Sequence, residues 1–213
     1  MHAEADGGIG PRRNGSAALY SGAARLAAAR EETMDPARML AAALALAATL
    51  HCAGVLAQAK EMTLVHTIKI NAPPEVVWAM AGDFGGIQRW SPGVESSRLV
   101  LRARNETGAI RLLRRRNGTQ VTEKLLDYDP ANRRMAYTYV DGAVGASDYY
   151  SVLTVQDAGD GTSLVDWRGK FKRLAYATDT PPAGQDDKTS YDFLDNAYRV
   201  SLANLKKILE QPR

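Results

Sequence analysis

Hydrophobic and polar positions alternate along residues 63–70, which predicts a short strand. Pro73-Pro74 stops it. Pro74 then opens a helix at no hydrogen-bond cost, because first-turn N–H groups have no intrahelical partner, and Glu75 suits the positive helix end. Val76, Val77, Trp78, Met80 and Ala81 give that helix its apolar surface. Gly82-Asp-Phe-Gly-Gly86 predicts a break, and Ile87 to Trp90 a second short helix ended by Ser91-Pro92-Gly93.

Turn-marked segments follow, as in an antiparallel sheet. They predict strands near 95–103, 108–115, 119–127, 133–140, 148–156 and 162–172, with Asn117-Gly118 as the strongest hairpin signal. Residues 177–187 read as a polar Pro/Gly linker. From 190 to 210 the period changes to that of a helix, with Tyr191, Leu194, Tyr198, Leu202, Leu205, Ile208 and Leu209 on one stripe. The fold class is therefore α+β: a strand, two small helices, six more strands and a long closing helix, arranged as a helix-grip cup.

Strand parity selects the inward face. Val165, Trp167, Gly169 and Phe171 share one face, and Asp166, Arg168, Lys170 and Lys172 the other, which reads as wet. Tyr149, Ser151, Leu153 and Val155 are co-facial, as are Met135, Tyr137 and Tyr139, and Val121, Glu123 and Leu125. The interior is expected to be Val, Leu, Trp and Tyr, with Glu123 as a lone carboxylate unless Arg111 or Arg114 pairs with it.

The amino-terminal part has a different character. Residues 1–59 are rich in Ala and Gly and carry five basic and five acidic residues, against 22 and 19 in residues 60–213. The net charge of +3 is too small to argue for a nucleic-acid partner. Arg38, the apolar run from Met39 and the small-residue exit Ala57-Gln58-Ala59 follow signal-peptide grammar, so residues 34–59 are expected to be a signal peptide cleaved after Ala59. Residues 1–33 read as a disordered tail or as sequence upstream of the true start. Export leaves residues 60–213 as the working domain, periplasmic or secreted, with no stable membrane insertion after cleavage. The sole cysteine, Cys52, falls inside the signal, so the domain has no disulfide.

Catalytic grammar is sparse. His66 is the one histidine of residues 60–213, which leaves no zinc-type ligand set and no nucleophile–histidine pair. Gly82-Asp-Phe-Gly-Gly86 follows a helix and not a strand, unlike a phosphate loop. The cluster Arg114-Arg115-Arg116 beside a hairpin reads as a solvated strand end. No catalytic residue, metal ligand or cofactor is assigned.

Several stretches together resemble one superfamily. They are Ala72-Pro-Pro-Glu-Val-Val-Trp78, Gly82-Asp-Phe-Gly-Gly-Ile-Gln-Arg-Trp90, Gly108-Ala-Ile-Arg111, Val121-Thr-Glu-Lys-Leu125 with Tyr128-Asp129, Ser147-Asp-Tyr149, Val165-Asp-Trp167 and Asn204-Leu-Lys-Lys207. Their order and spacing resemble the SRPBCC (START/Bet v 1-like) superfamily in its bacterial polyketide cyclase/dehydrase-like branch. The resemblance implies a seven-stranded antiparallel sheet gripping the last helix, with a ligand cavity between. It also implies ligand contacts for Glu123 and Tyr149, the matches of residues that hydrogen-bond ligand in related hormone receptors. In those receptors two hairpin loops act as gate and latch. Here the corresponding loops are the turn at Asn117-Gly118 and residues 141–146, and with the Phe84–Trp90 segment they are expected to frame a loosely covered entrance.

The leading expectation is an exported, monomeric protein that holds a small hydrophobic or aromatic molecule without catalysis. Trp78, Phe84, Trp90, Glu123, Tyr137, Tyr139, Tyr149, Trp167, Phe171 and Tyr198 are the candidate ligand-binding residues. One alternative is a polyketide cyclase/dehydrase-type enzyme using Glu123, Tyr137 and Tyr149. The other is a periplasmic accessory protein whose partner is a dehydrogenase.

Overall fold

In the sheet, β1 (Met62–Ile70) lies at one edge and β2 (Val94–Leu101) at the other. Between them in sequence run α1 (Pro74–Ala81) and a 3-10 helix (Phe84–Arg89). The remaining strands are β3 (Ile110–Arg115), β4 (Gln120–Asp129), β5 (Arg134–Asp141), β6 (Ala146–Asp157) and β7 (Ser163–Arg173), and α2 (Asp187–Leu209) closes the chain. The order is β1-β7-β6-β5-β4-β3-β2, antiparallel throughout. This computed structural model describes residues 59–142 and 145–212. The expected tail at 1–33, all of the expected signal but Ala59, and Val144 of the expected cover lie outside the described residues.

Local chemistry explains the elements. The inward faces of β4, β5, β6 and β7 alternate as their parity requires: Val121, Leu125, Met135, Leu153, Val155, Val165 and Phe171 are all buried. Register shifts interrupt the β2–β3, β4–β5 and β6–β7 ladders. Bulges of this kind bend strands and increase their twist, which lets one sheet curve around a helix. The α2 helix lies against β1, β7 and β6 and buries Leu194, Tyr198, Leu202 and Leu205. Each such side chain contributes about 1.5–3 kcal/mol when fully buried.

Four expectations change. The second short helix is a 3-10 helix that starts at Phe84, so Gly85 and Gly86 lie within it. A side chain on Gly86 would overlap the Asp83 carboxylate, which pairs with Arg89 at 2.6 Å across that glycine. The last helix begins at Asp187 and shortens the linker, because Asp186 caps it by accepting from the Thr189 N–H at 2.8 Å. Tyr191 is exposed, and Ser190 and Ser201 take buried positions on the helix instead. Asp166 is buried on the face read as wet, where Thr67 donates to it at 3.0 Å and Arg168 at 2.5 Å.

Candidate functional site

Beneath α2 the sheet carries a connected cluster of rings and hydroxyls. Trp167 of β7 stacks on Tyr198 of α2 at 3.9 Å between centroids and meets Trp90 edge-on at 5.4 Å. Its Nε1–H points at two oxygens, Ser151 Oγ at 2.8 Å and Tyr137 Oη at 3.0 Å. Tyr198 Oη is 2.6 Å from Tyr149 Oη and 3.0 Å from Ser151 Oγ. Ser151 donates onward to the Arg168 carbonyl at 3.0 Å. Tyr139 packs against Tyr149 with centroids 4.3 Å apart and rings tilted by 32°. Burial raises the phenols of Tyr137, Tyr139, Tyr149 and Tyr198 above their usual value, and neighbouring acidic groups add to the effect. These hydroxyls therefore stay protonated near neutral pH and act as hydrogen-bonding groups.

Glu123 is not a lone carboxylate. Arg111 donates to its Oε2 at 2.5 Å, and both side chains are buried. The Arg111 guanidinium lies 4.1 Å from the Phe84 ring centroid and 5.0 Å from that of Tyr137, and it also donates to the Phe84 carbonyl. The pair thus ties β3 and β4 to the 3-10 helix. Burial pushes the Glu123 carboxyl above the ordinary range, and the charge and hydrogen bond of Arg111 oppose that push. Of the two partners the sequence offers Glu123, Arg111 is the one that pairs with it, while Arg114 pairs with Glu95. The parity of Arg111 with Ala109 and Leu113, both buried, is the signal that identifies it.

Two connected spaces lie beside this cluster. The inner one is a cavity of about 50 Å³ whose wall includes Glu123, Tyr139, Tyr149, Trp167 and Tyr198. The outer one is an open groove of about 490 Å³ along the first half of α2, and Ser91, Arg115, Ala197 and Ser201 belong to both. Ser91 and Ser201 hydrogen-bond across the boundary at 2.9 Å, and Asn204 donates to the Trp90 carbonyl at 3.0 Å, so the turn after the 3-10 helix is fastened to α2.

Five of the ten candidate residues meet at the inner wall. The others are placed elsewhere: Trp78 stacks on Tyr128 at 5.7 Å, Phe84 holds Arg111, Trp90 packs on Trp167, Tyr137 sits behind Trp167, and Phe171 neighbours Tyr191. The interior is thus largely filled, with room in the cavity for about one or two water molecules. The entrance also differs from expectation. Among the described residues it is bounded by Ser91, Gly93, Arg115 and α2, and Asn117 and Gly118 are absent from its lining. Gly145 of the expected cover lies against Phe193, a lining residue of the groove, so closely that a side chain there would overlap that ring.

The arginine cluster divides. Arg114 is exposed and pairs with Glu95 at 2.9 Å, Arg116 donates to the Pro92 carbonyl at 2.7 Å, and Arg115 is half-buried in the groove. His66 on β1 contacts Asp195 on α2 at 2.9 Å, away from the cavity wall. Among the described residues no group of three or more His, Cys, Asp or Glu side chains is placed to hold a metal ion.

Comparison with known proteins agrees with this geometry. The chain is 27% identical to the abscisic acid receptor PYL6 of Arabidopsis thaliana over 147 residues, a match that spans 66% of each protein. The protein XoxI of Bacillus cereus shares the fold, with a TM-score of 0.59 and 23% identity over 69% of this chain and 94% of that one. A Thermobifida fusca protein gives a TM-score of 0.55 with 27% identity, covering 71% and 97%. The family described as polyketide cyclase / dehydrase and lipid transport matches residues 61–210, from the first strand to the end of the closing helix, and the chain belongs to that family, within the SRPBCC superfamily.

Proposed function

We propose that this protein is an exported binding protein for a small hydrophobic or aromatic molecule and performs no catalysis of its own. The observation that carries the reading is an open groove of about 490 Å³ along α2, large enough for a small molecule, which adjoins a cavity walled by Tyr139, Tyr149, Trp167 and Tyr198. A family whose description includes lipid transport, and a relative named as a receptor for a small molecule, support binding as the role. The buried tyrosines favour binding over catalysis, since phenols that stay protonated near neutral pH are poor bases. Export rests on the sequence of residues 34–59.

Tryptophan fluorescence across a panel of lipids, aromatics and polyketide-like compounds tests the binding reading. Trp167 borders the cavity, and Trp90 packs on Trp167 and precedes Ser91, which lines both the cavity and the groove, so occupancy of either space should change the emission. Silence across the panel refutes the proposal. The cyclase/dehydrase alternative has one specific observation in its favour, the raised carboxyl of Glu123 on the cavity wall. Recovering a bound compound chemically altered would replace binding with that alternative. Amino-terminal sequencing of periplasmic protein tests export: Lys60 as first residue supports it, and full-length protein confined to the cytoplasm refutes it.

A further inference from the structure

We infer that the ligand sits in the groove at the mouth and not in the interior, and that it is a small carboxylate with an apolar body, its negative end held by Arg115. The inference rests on the small-molecule reading above and adds a location and a chemical class.

Capacity is the first argument. The inner cavity of about 50 Å³ admits a hydroxyl or a water, whereas the groove of about 490 Å³ admits a whole small molecule. Charge is the second. One acidic side chain, Asp192, lines the groove, and it pairs with Lys188 at 2.5 Å; Glu123 on the adjoining cavity wall pairs with Arg111 at 2.5 Å. Arg115 has no ion pair and no side-chain hydrogen bond among the described residues, although it is half-buried and borders both spaces. The Glu123 carboxylate feels the Arg115 charge but pairs directly with Arg111, so a partly desolvated guanidinium is left without a direct anionic partner, which a bound carboxylate supplies.

Orientation is the third argument. The Arg115 guanidinium lies over the Phe193 ring, 4.6 Å from its centroid. That contact holds the guanidinium at the groove, and its N–H donors, unpaired among the described residues, are available for a two-point contact with a carboxylate. Phe193, Ala197 and Val200 supply the apolar wall for the rest of the ligand.

The test is a calorimetric titration of the full chain with 2-naphthoate and with its neutral isostere 2-naphthamide, with backbone amide shifts recorded in parallel. The acid should bind roughly tenfold or more tighter than the amide, as a charge-assisted hydrogen bond implies. Arg115→Gln should bring the two affinities together, while Arg114→Gln, which removes the neighbouring charge outside the groove, should leave the preference intact. Arg115→Lys keeps the charge without the planar fork and should retain part of the preference, which guards against a folding defect in Arg115→Gln. Shifts should concentrate at Gly93, Phe193 and Ala197. Equal affinities in the unmodified protein, a preference that survives Arg115→Gln, or shifts centred on Tyr137 and Leu153 would overturn this inference and leave small-molecule binding standing. Binding of neutral aromatics with neither probe bound has the same meaning. If neither the probes nor the neutral panel bind, both readings fall.

Discussion

The Trp167 indole lies flat on the Tyr198 ring, 7° from parallel with centroids 3.9 Å apart, and this contact joins the last strand to the closing helix. It is one layer of a stack that continues edge-on into Trp90. The same indole N–H is shared by Ser151 and Tyr137, so the contact is fixed both by packing and by hydrogen bonds. An indole so enclosed belongs to the core even though it borders the cavity.

Trp167→Ala should therefore cost about 3–5 kcal/mol, the range for removing a well-packed large aromatic. Trp167→Phe should cost less, because a ring can still stack on Tyr198 while Ser151 and Tyr137 lose only one donor. Urea unfolding of the three proteins checks the order. Equal midpoints would mean that Trp167 does not face the core.

The buried Arg111–Glu123 pair makes a paired prediction. Glu123→Leu leaves a buried guanidinium without its anion and should cost about 3–5 kcal/mol. The double variant Arg111→Met, Glu123→Leu should recover most of that loss, since an apolar pair of similar size avoids desolvating two charges. A double-mutant cycle by thermal or urea unfolding measures the recovery. Additive losses would show that the pair is not coupled as its 2.5 Å contact implies.

Much of this arrangement is legible in the sequence, for identifiable reasons. Period-two alternation fixes which side of a strand meets the core, so the inward faces of β4 to β7 follow from residue type. Arg111 and Arg115 share that inward parity, but their charge argues for solvent, and only the three-dimensional neighbours Glu123, Phe84 and Phe193 show how the sheet accommodates them. The start of α2 is hidden by composition: Pro181, Pro182 and Gly184 read as linker, while the cap at Asp186 depends on one hydrogen bond. The size of the cavity is not a sequence property at all. It depends on whether large rings interdigitate or leave a gap, and here Trp90, Trp167 and Tyr198 interdigitate.

Two glycines separate steric from conformational cost. Gly82 has ordinary helical φ, −80°, but a side chain there would overlap the Trp78 ring. Gly159 has φ of +80° with nothing near its missing side chain. Gly82→Ala should cost about 1–3 kcal/mol by overpacking and should shift Trp78, which near-ultraviolet circular dichroism detects. Gly159→Ala should cost about 1–2 kcal/mol through backbone conformation alone, with the aromatic spectrum unchanged. An altered spectrum in the second variant, or an unaltered one in the first, would contradict the assignment.

The cap of α2 gives a prediction with a definite sign in pH. The Thr189 N–H and hydroxyl hold the Asp186 carboxyl below its ordinary value of 3.8. A carboxyl whose pKa is lower in the folded than in the unfolded state binds fewer protons when folded. Its contribution is therefore complete above 3.8 and fades as pH falls below that value through the lower folded pKa. Asp186→Ala should melt lower than the unmodified protein at neutral pH, and the gap should narrow in acid. Other groups with depressed values, such as Asp129 and Glu210, titrate in both proteins and cancel in the difference. Asp186→Asn separates the two parts of the effect, because its amide oxygen can still accept from Thr189 but carries no charge. It should melt between the other two at neutral pH and keep a pH-independent advantage over Asp186→Ala in the acid range. Thermal melts of the three proteins from neutral pH to well below the Asp range decide it, and a gap that widens in acid would show that the carboxylate does not cap the helix.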